Sequence, residues 1–164
     1  MRITVLSVAS GLLTGAVLLC IPPVHAAGEH EVADLLIKMV QAGRTVMAKH
    51  QPVINNPDLV DKGFTPAVFE KEITQIYLDK AKYDLSQPAK TPQDKLLHAL
   101  LRAGKDVVAD HQPAINLPGI AYKNFIPAVW ARKTGEKFEK ATGIRLKLTS
   151  ANYRYRGNKP DEFE

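Results

Sequence analysis

Cysteine is almost missing from this chain: the single copy among 164 residues, Cys20, lies inside an apolar run from Ile3 to Ile21. Met1-Arg2 precedes that run, and Pro22-Pro23 with the small residues of Val24-His25-Ala26-Ala27 follows it. This order is the charged start, apolar centre and small-residue cleavage site of a secretory leader. An uncleaved anchor is the rival, because a membrane span needs about 18 apolar residues. The paired prolines favour cleavage after Ala26 or Ala27, and hence a periplasmic or secreted protein that meets the membrane only if the leader is retained. Leu19 stands where a lipobox requires a small residue, so Cys20 is discarded with the leader. The remaining chain has no disulfide framework, thiolate metal site or thiol nucleophile.

Enzyme signatures are also lacking. No Gly-x-Ser-x-Gly elbow, phosphate loop or His-Glu-x-x-His pair occurs. Glu70, Glu72 and Asp79 fall among lysines on a helix face expected to be solvated, the usual setting of surface ion pairs. The expectation is therefore a non-catalytic protein. Excess charge of one sign is small: formal charge +5, or +4 once Arg2 is removed with the leader. An exported chain meets little nucleic acid, so envelope lipids, anionic metabolites or the acid groups of a cofactor are the expected counterparts. About 137 mature residues (164 less the 27 of the leader) suffice for one domain or two small subdomains.

What the sequence does have is a repeat. His50-Gln-Pro-Val-Ile-Asn55 returns as His111-Gln-Pro-Ala-Ile-Asn116, and laying Leu35–Glu70 over Leu96–Ala131 without a gap gives 17 identities in 36 positions. Duplicated supersecondary units bury a face against one another. Each copy reads as helix, loop, helix. Leu36, Met39, Val40, Gly43, Val46, Met47 and His50 share one helical face, matched by Leu97, Leu100, Leu101, Gly104, Val107, Val108 and His111. Glycine in mid-helix costs about 1 kcal/mol relative to alanine, so Gly43 and Gly104 predict close approach by another helix. Pro52 and Pro113 disfavour helix in the residue before them, which predicts helix ends near His50 and His111. Thr65-Pro66 caps and opens a helix to about Ala81; its counterpart runs from Pro127 to about Ala141 and stops at Thr142-Gly143.

Beyond the second copy the period changes from 3.6 to 2. Ile144, Leu146 and Leu148 alternate with Arg145, Lys147 and Thr149, and Tyr153-Arg154-Tyr155-Arg156 keeps the rhythm, which predicts a half-buried strand. A lone strand leaves its amide groups unpaired. Three solutions exist: the natural polypeptide continues beyond Glu164, which is the expected one, a partner chain completes the sheet, or the segment is not a strand. The organisation predicted is a leader over 1–27, a first helical repeat over 28–84, a linker over 85–95, and a second repeat with the start of the β segment over 96–164.

Lys62-Gly63-Phe64-Thr65-Pro66-Ala67-Val68, its echo from Lys123 to Val129, then Thr142-Gly143-Ile144, Leu146-Lys147-Leu148-Thr149-Ser150 and Asn158-Lys159-Pro160-Asp161 carry a family likeness. Together these motifs resemble the Tll-like c-type haem domain family, a bacterial exported domain of formerly unknown function. The resemblance implies N-terminal helices joined to an antiparallel PAS-like sheet, hence an α+β fold with a duplicated, mostly α part and an incomplete β part. It also implies a sensory or redox role in the envelope and haem as the cofactor. Two departures stand out: Arg154-Tyr155-Arg156 replaces the family's Arg-Asn-Pro, and no Cys-x-x-Cys-His haem site is present, that site typically lying beyond the Asn-x-Pro-Asp element.

His50 and His111 are candidate cofactor residues, as axial ligands of a non-covalent haem or a shared metal. The preferred reading has each histidine in a last helical turn, satisfying exposed carbonyls. His30 and His98 are expected in solvent, and Trp130, which stands where the first copy has Phe69, in the core. Arg145, Lys147, Arg154 and Arg156, with Lys159, form an alternating cationic strip beside Tyr153 and Tyr155. Such a strip can receive carboxylates or phosphates, or simply keep an edge soluble. The expected function is a periplasmic sensory or ligand-binding module with a downstream signalling or redox partner. The alternative is a structural helical protein that dimerises through its repeat.

Overall fold

A computed structural model describes residues 24–153 and 155–162, with side chains from Gly28 onward. The predicted leader lies outside the described residues, apart from its cleavage region, where Ala26 and Ala27 fall in the first turn of the first helix. Four α-helices follow in order: α1 (Val24–Ile54), α2 (Pro66–Ala81), α3 (Pro92–Ile115) and α4 (Pro127–Thr142), then a 3-10 turn at Arg156–Asn158. No described helix is long and apolar enough to cross a membrane.

The expected α+β, PAS-like fold is overturned, since no strand occurs among the described residues. The alternation at Ile144–Leu148 is present in the sequence, but burial does not follow it: Leu146 and Leu148 are half-buried against the core, Lys147 between them is half-buried as well, and Ile144 is exposed. Apolar residues of such a segment can be covered by helices instead of a neighbouring strand. Here the cover is α4: a Cβ on its buried Gly135 would lie 2.6 Å from the Leu146 carbonyl oxygen, so only glycine lets the extended backbone pass this closely.

Two helical hairpins pack into one core, as the repeat predicts. The paired central helices α1 and α3 each touch all three other helices, and Met39, Val46, Met47, Leu97, Val107 and Val108 are fully buried between the halves. The outer helices meet through Phe69 and Trp130, ring centroids 5.3 Å apart. Burying side chains of this size contributes roughly 1.5–3 kcal/mol each. Gly43 and Gly104 are both buried, but the expected helix backbone is not what approaches them. The Trp130 indole does, and its Nε1–H donates to the Gly104 carbonyl at 3.1 Å.

The proline boundaries need correction. α1 continues through Pro52 to Ile54, and α3 through Pro113 to Ile115. Each proline removes one bond to the carbonyl four residues back. Those carbonyls belong to Ala48 and Ala109, both exposed, so water can replace the missing N–H and the helix gains another turn.

The loops after these turns explain the Lys-x-Phe echo. Buried Lys62 donates from Nζ to the Asn56 and Leu59 carbonyls, and Lys123 does the same to Leu117. Between each lysine and its phenylalanine stands a left-handed residue, Gly63 at φ 62° and Asn124 at φ 54°, the residue types that tolerate this conformation. Phe64 and Phe125 then fall into the core. The two loops also hold each other: Gly119 donates its N–H to the Pro57 carbonyl at 2.9 Å, and Lys123 donates its N–H to Asn55 Oδ1 at 3.3 Å.

Candidate functional site

A concavity of about 1260 Å³ opens where the start of α1 and the start of α3 face the segment after α4. Val32, Leu36 and Ile37 supply the α1 wall, Leu96 the α3 wall, and Ile144 and Leu146 the third. Ile37 is 52% exposed and Ile144 39%, so aliphatic side chains on two walls of the opening are turned to solvent.

The α3 wall is fixed by its cap. Thr91 Oγ1 accepts from the Asp94 N–H at 3.1 Å, while an Asp94 carboxylate oxygen accepts from the N–H groups of Thr91 at 2.8 Å and Lys90 at 2.9 Å. These reciprocal bonds satisfy amides left free at a helix start. The Tyr83 hydroxyl donates to the other Asp94 oxygen. This hydroxyl bond first, then the backbone donors, hold the Asp94 carboxyl well below the usual carboxylate range. Burial, and then the Asp94 charge, push the Tyr83 phenol up to about 12. Asp94 thus stays ionised as a cap and offers no proton.

The third wall is tethered at its far end. Lys147 pairs with Asp161 at 3.2 Å, and Ser150 donates its N–H to the Asn158 carbonyl at 3.1 Å. The cationic strip read from the sequence is therefore divided. Arg145 is exposed on the groove wall, Lys147 is paired, and Arg156 is exposed in the 3-10 turn and does not line the groove. Arg154 lies outside the described residues. Arg132 of α4 covers the ring of Tyr155, 4.4 Å from its centroid, a cation–π contact that packs the tail.

Neither candidate histidine lines the groove. His50 stacks on Phe64 at 4.5 Å, and its Nε2 is 3.0 Å from Glu72 Oε1, which also takes Lys49 at 3.0 Å. Burial pushes the Glu72 carboxyl up, but the bonds and charges of Lys49 and His50 outweigh it and leave the group below its ordinary value. Glu72 is thus more enclosed than its surface-pair reading implies. His111 stacks on Phe125 at 4.2 Å, and its Nδ1 lies 2.7 Å from the Val107 carbonyl one turn back. Each imidazole is packed on the phenylalanine of its own repeat; Glu72 takes Nε2 of His50, which does not fit axial ligation there, whereas at His111 the Val107 carbonyl takes only Nδ1. No group of three or more His, Cys, Asp or Glu side chains among the described residues is arranged to hold a metal. His30 is exposed, whereas His98 is half-buried between α3 and α4.

The groove residues Val32, Ile37 and Leu96 escaped sequence reasoning, although Ile37 and Val32 lie on the flank of the helical stripe. Their apolar character signals burial equally well, and only the neighbouring segment shows that they line an opening. Residues 26–164 match the model of the Tll0287-like family, and the chain belongs to that family. No curated protein and no solved structure matches it.

Proposed function

We propose that this Tll0287-like chain is an exported, non-catalytic ligand-binding module whose groove takes a small amphipathic acid. The observation that carries the reading is the exposed aliphatic lining of a groove of about 1260 Å³ with Arg145 on one wall. Apolar walls release water from the body of a ligand, at about 25 cal/mol per Å² covered, and a single guanidinium orients its acid group. The walls belong to three separate segments, so filling the groove would couple the C-terminal tail to the helical core. That coupling is the physical basis for a sensory role toward a downstream partner.

Titration with anilinonaphthalene sulfonate tests this. Its fluorescence should rise on binding, dodecanoate should compete, and Leu96→Asp should weaken binding at least tenfold, with Arg145→Gln affecting the acid more than a neutral analogue. Equal binding by wild type and Leu96→Asp would remove the groove from consideration.

A second reading, self-association through the repeat, has its own observation. The paired loops present Leu59 and its counterpart Ile120, with Val60, Leu117 and Tyr122, all well exposed. An apolar patch spread over the two paired loops can be covered by the same patch of a second chain related by two-fold symmetry. Sedimentation should then show a dimer that Val60→Asp with Ile120→Asp converts to monomer.

A further inference from the structure

The duplication supplies an internal control for charge. α2 and α4 are both 16-residue helices opened by proline, so the 61-residue offset continues past the identities. On the second hairpin Lys95, His98 and Arg102 recur at three and four residues along α3, and Lys133, Lys137 and Lys140 do so along α4. Their counterparts on the first hairpin are Asp34, Ile37, Gln41, Glu72, Ile76 and Asp79. None is basic and three are acidic. The same hairpin folds with either set, so helix packing does not require the cations.

Those cations are gathered in one place. A trench of about 490 Å³ between α3 and α4 is lined by buried Ala103 and half-buried Ala99 at its base and by Lys95, Arg102, Lys137, Lys140 and exposed Ala141 around them. Lys137 and Lys140 also line a hollow of about 200 Å³ that adds Lys133 and His111. Acidic lining is sparser: Asp106 in the trench, Asp110 and Glu136 in the hollow. Asp110 is taken by Lys137 at 3.0 Å. Among the described residues, Lys95, Arg102, Lys133 and Lys140 make no ion pair. Lys133, Lys137 and Lys140 succeed one another at one helical turn, about 5–6 Å between Cβ atoms. That is inside the Debye length of about 8 Å at physiological salt, so the charges repel one another. The alanine floor leaves room between them. Lysine ammonium groups are compact point charges that follow phosphoryl oxygens without needing the planar fork that matches a carboxylate.

We propose that the α3–α4 trench binds a phosphoryl polyanion, held by Lys95, Arg102, Lys137 and Lys140. It shares no lining residue with the apolar groove, and the two sites stand or fall separately. The concave floor suits a soluble anion, whereas a lipid headgroup would offer the same chemistry from a surface.

Calorimetric titration of the full chain with tripolyphosphate, and sedimentation with phosphatidylglycerol or phosphatidylcholine vesicles, separate these sources. Tripolyphosphate should bind, more weakly as salt rises toward about 0.15 M. Arg102→Gln/Lys137→Ile/Lys140→Gln should weaken binding at least tenfold. Arg44→Gln/Lys71→Gln/Lys80→Gln, which removes the same charge from the first hairpin, should retain it. Circular dichroism and anilinonaphthalene sulfonate binding should match wild type in both variants. Binding to phosphatidylglycerol vesicles alone, lost in the trench variant, would assign the site to lipid headgroups. Failure of the wild type to bind either probe, or equal loss in the two variants, would overturn the proposal.

Discussion

Trp130 and Gly43 share one space: a Cβ built on Gly43 would lie 2.0 Å from the indole Cη2. The indole belongs to the second repeat and the glycine to the first, so the contact fastens the two copies together. Gly43→Ala should gain about 1 kcal/mol of helix propensity, yet lose more by overpacking, typically 1–3 kcal/mol. A net loss of stability in thermal or urea unfolding is expected. Trp130→Phe, which installs the residue of the first copy, should also destabilise by about 1–3 kcal/mol through a cavity and the lost bond to Gly104. Because the smaller ring vacates the space the alanine needs, the double variant should cost less than the sum of the single changes. Strict additivity in the cycle would show that the two sites are not in contact.

The left-handed position between lysine and phenylalanine gives a second test. No atom lies within 4 Å of a Cβ on Gly63, so Gly63→Ala meets only the backbone penalty of about 1–2 kcal/mol. Gly63→Asn, the residue found at Asn124, should cost less than the alanine change. Urea midpoints of the two variants decide the order.

Acid should loosen the first hairpin through Glu72. Its carboxyl is held below its unfolded value of 4.5. A depressed acid contributes stability above the unfolded value and loses it as pH falls through the folded one. Glu72→Gln should therefore be less stable than wild type at neutral pH, with the difference shrinking below about pH 4.5. A constant difference down to pH 2 in acid unfolding would contradict the pairing with Lys49 and His50.

Alkali acts through Tyr83, with the opposite sign. Its phenol is raised from 10.0 to about 12, so its contribution is complete below pH 10 and is lost as pH rises through the folded value. Tyr83→Phe should flatten the fall in thermal stability between those values. The same fall in both proteins would mean that the hydroxyl does not donate to Asp94 in solution.

Haem added to the purified chain should give no Soret shift that depends on His50, because its ring is stacked on Phe64 and its Nε2 is held by Glu72. A shift abolished by His50→Ala would show that this pairing opens to admit a cofactor.

The helices were legible because their signals are local. Thr65-Pro66 opens α2 and Thr142-Gly143 ends α4 where capping chemistry puts them, and the stripe from Leu36 to Met47 faces the core as its spacing requires. The error at Pro52 came from treating proline as a stop when a solvent-facing carbonyl makes it tolerable near a helix end. The strand error at Ile144–Leu148 had a different source: alternation is local, but a sheet needs partners, and partners are a property of the whole fold. The groove and the trench were hidden for the same reason. Arg102 and Lys140 are 38 residues apart in the chain, and nothing in either helix alone marks them as walls of one cleft.

By itself the sequence determined that there are two copies, four helices and a core face on each, because periodicity and capping act over a few residues. Only tertiary structure decided what lies against those faces: an indole over two glycines, an extended tail over α4, and cations gathered on one hairpin. Such neighbours come from distant parts of the chain, and short-range patterns record that a surface is covered without recording by what.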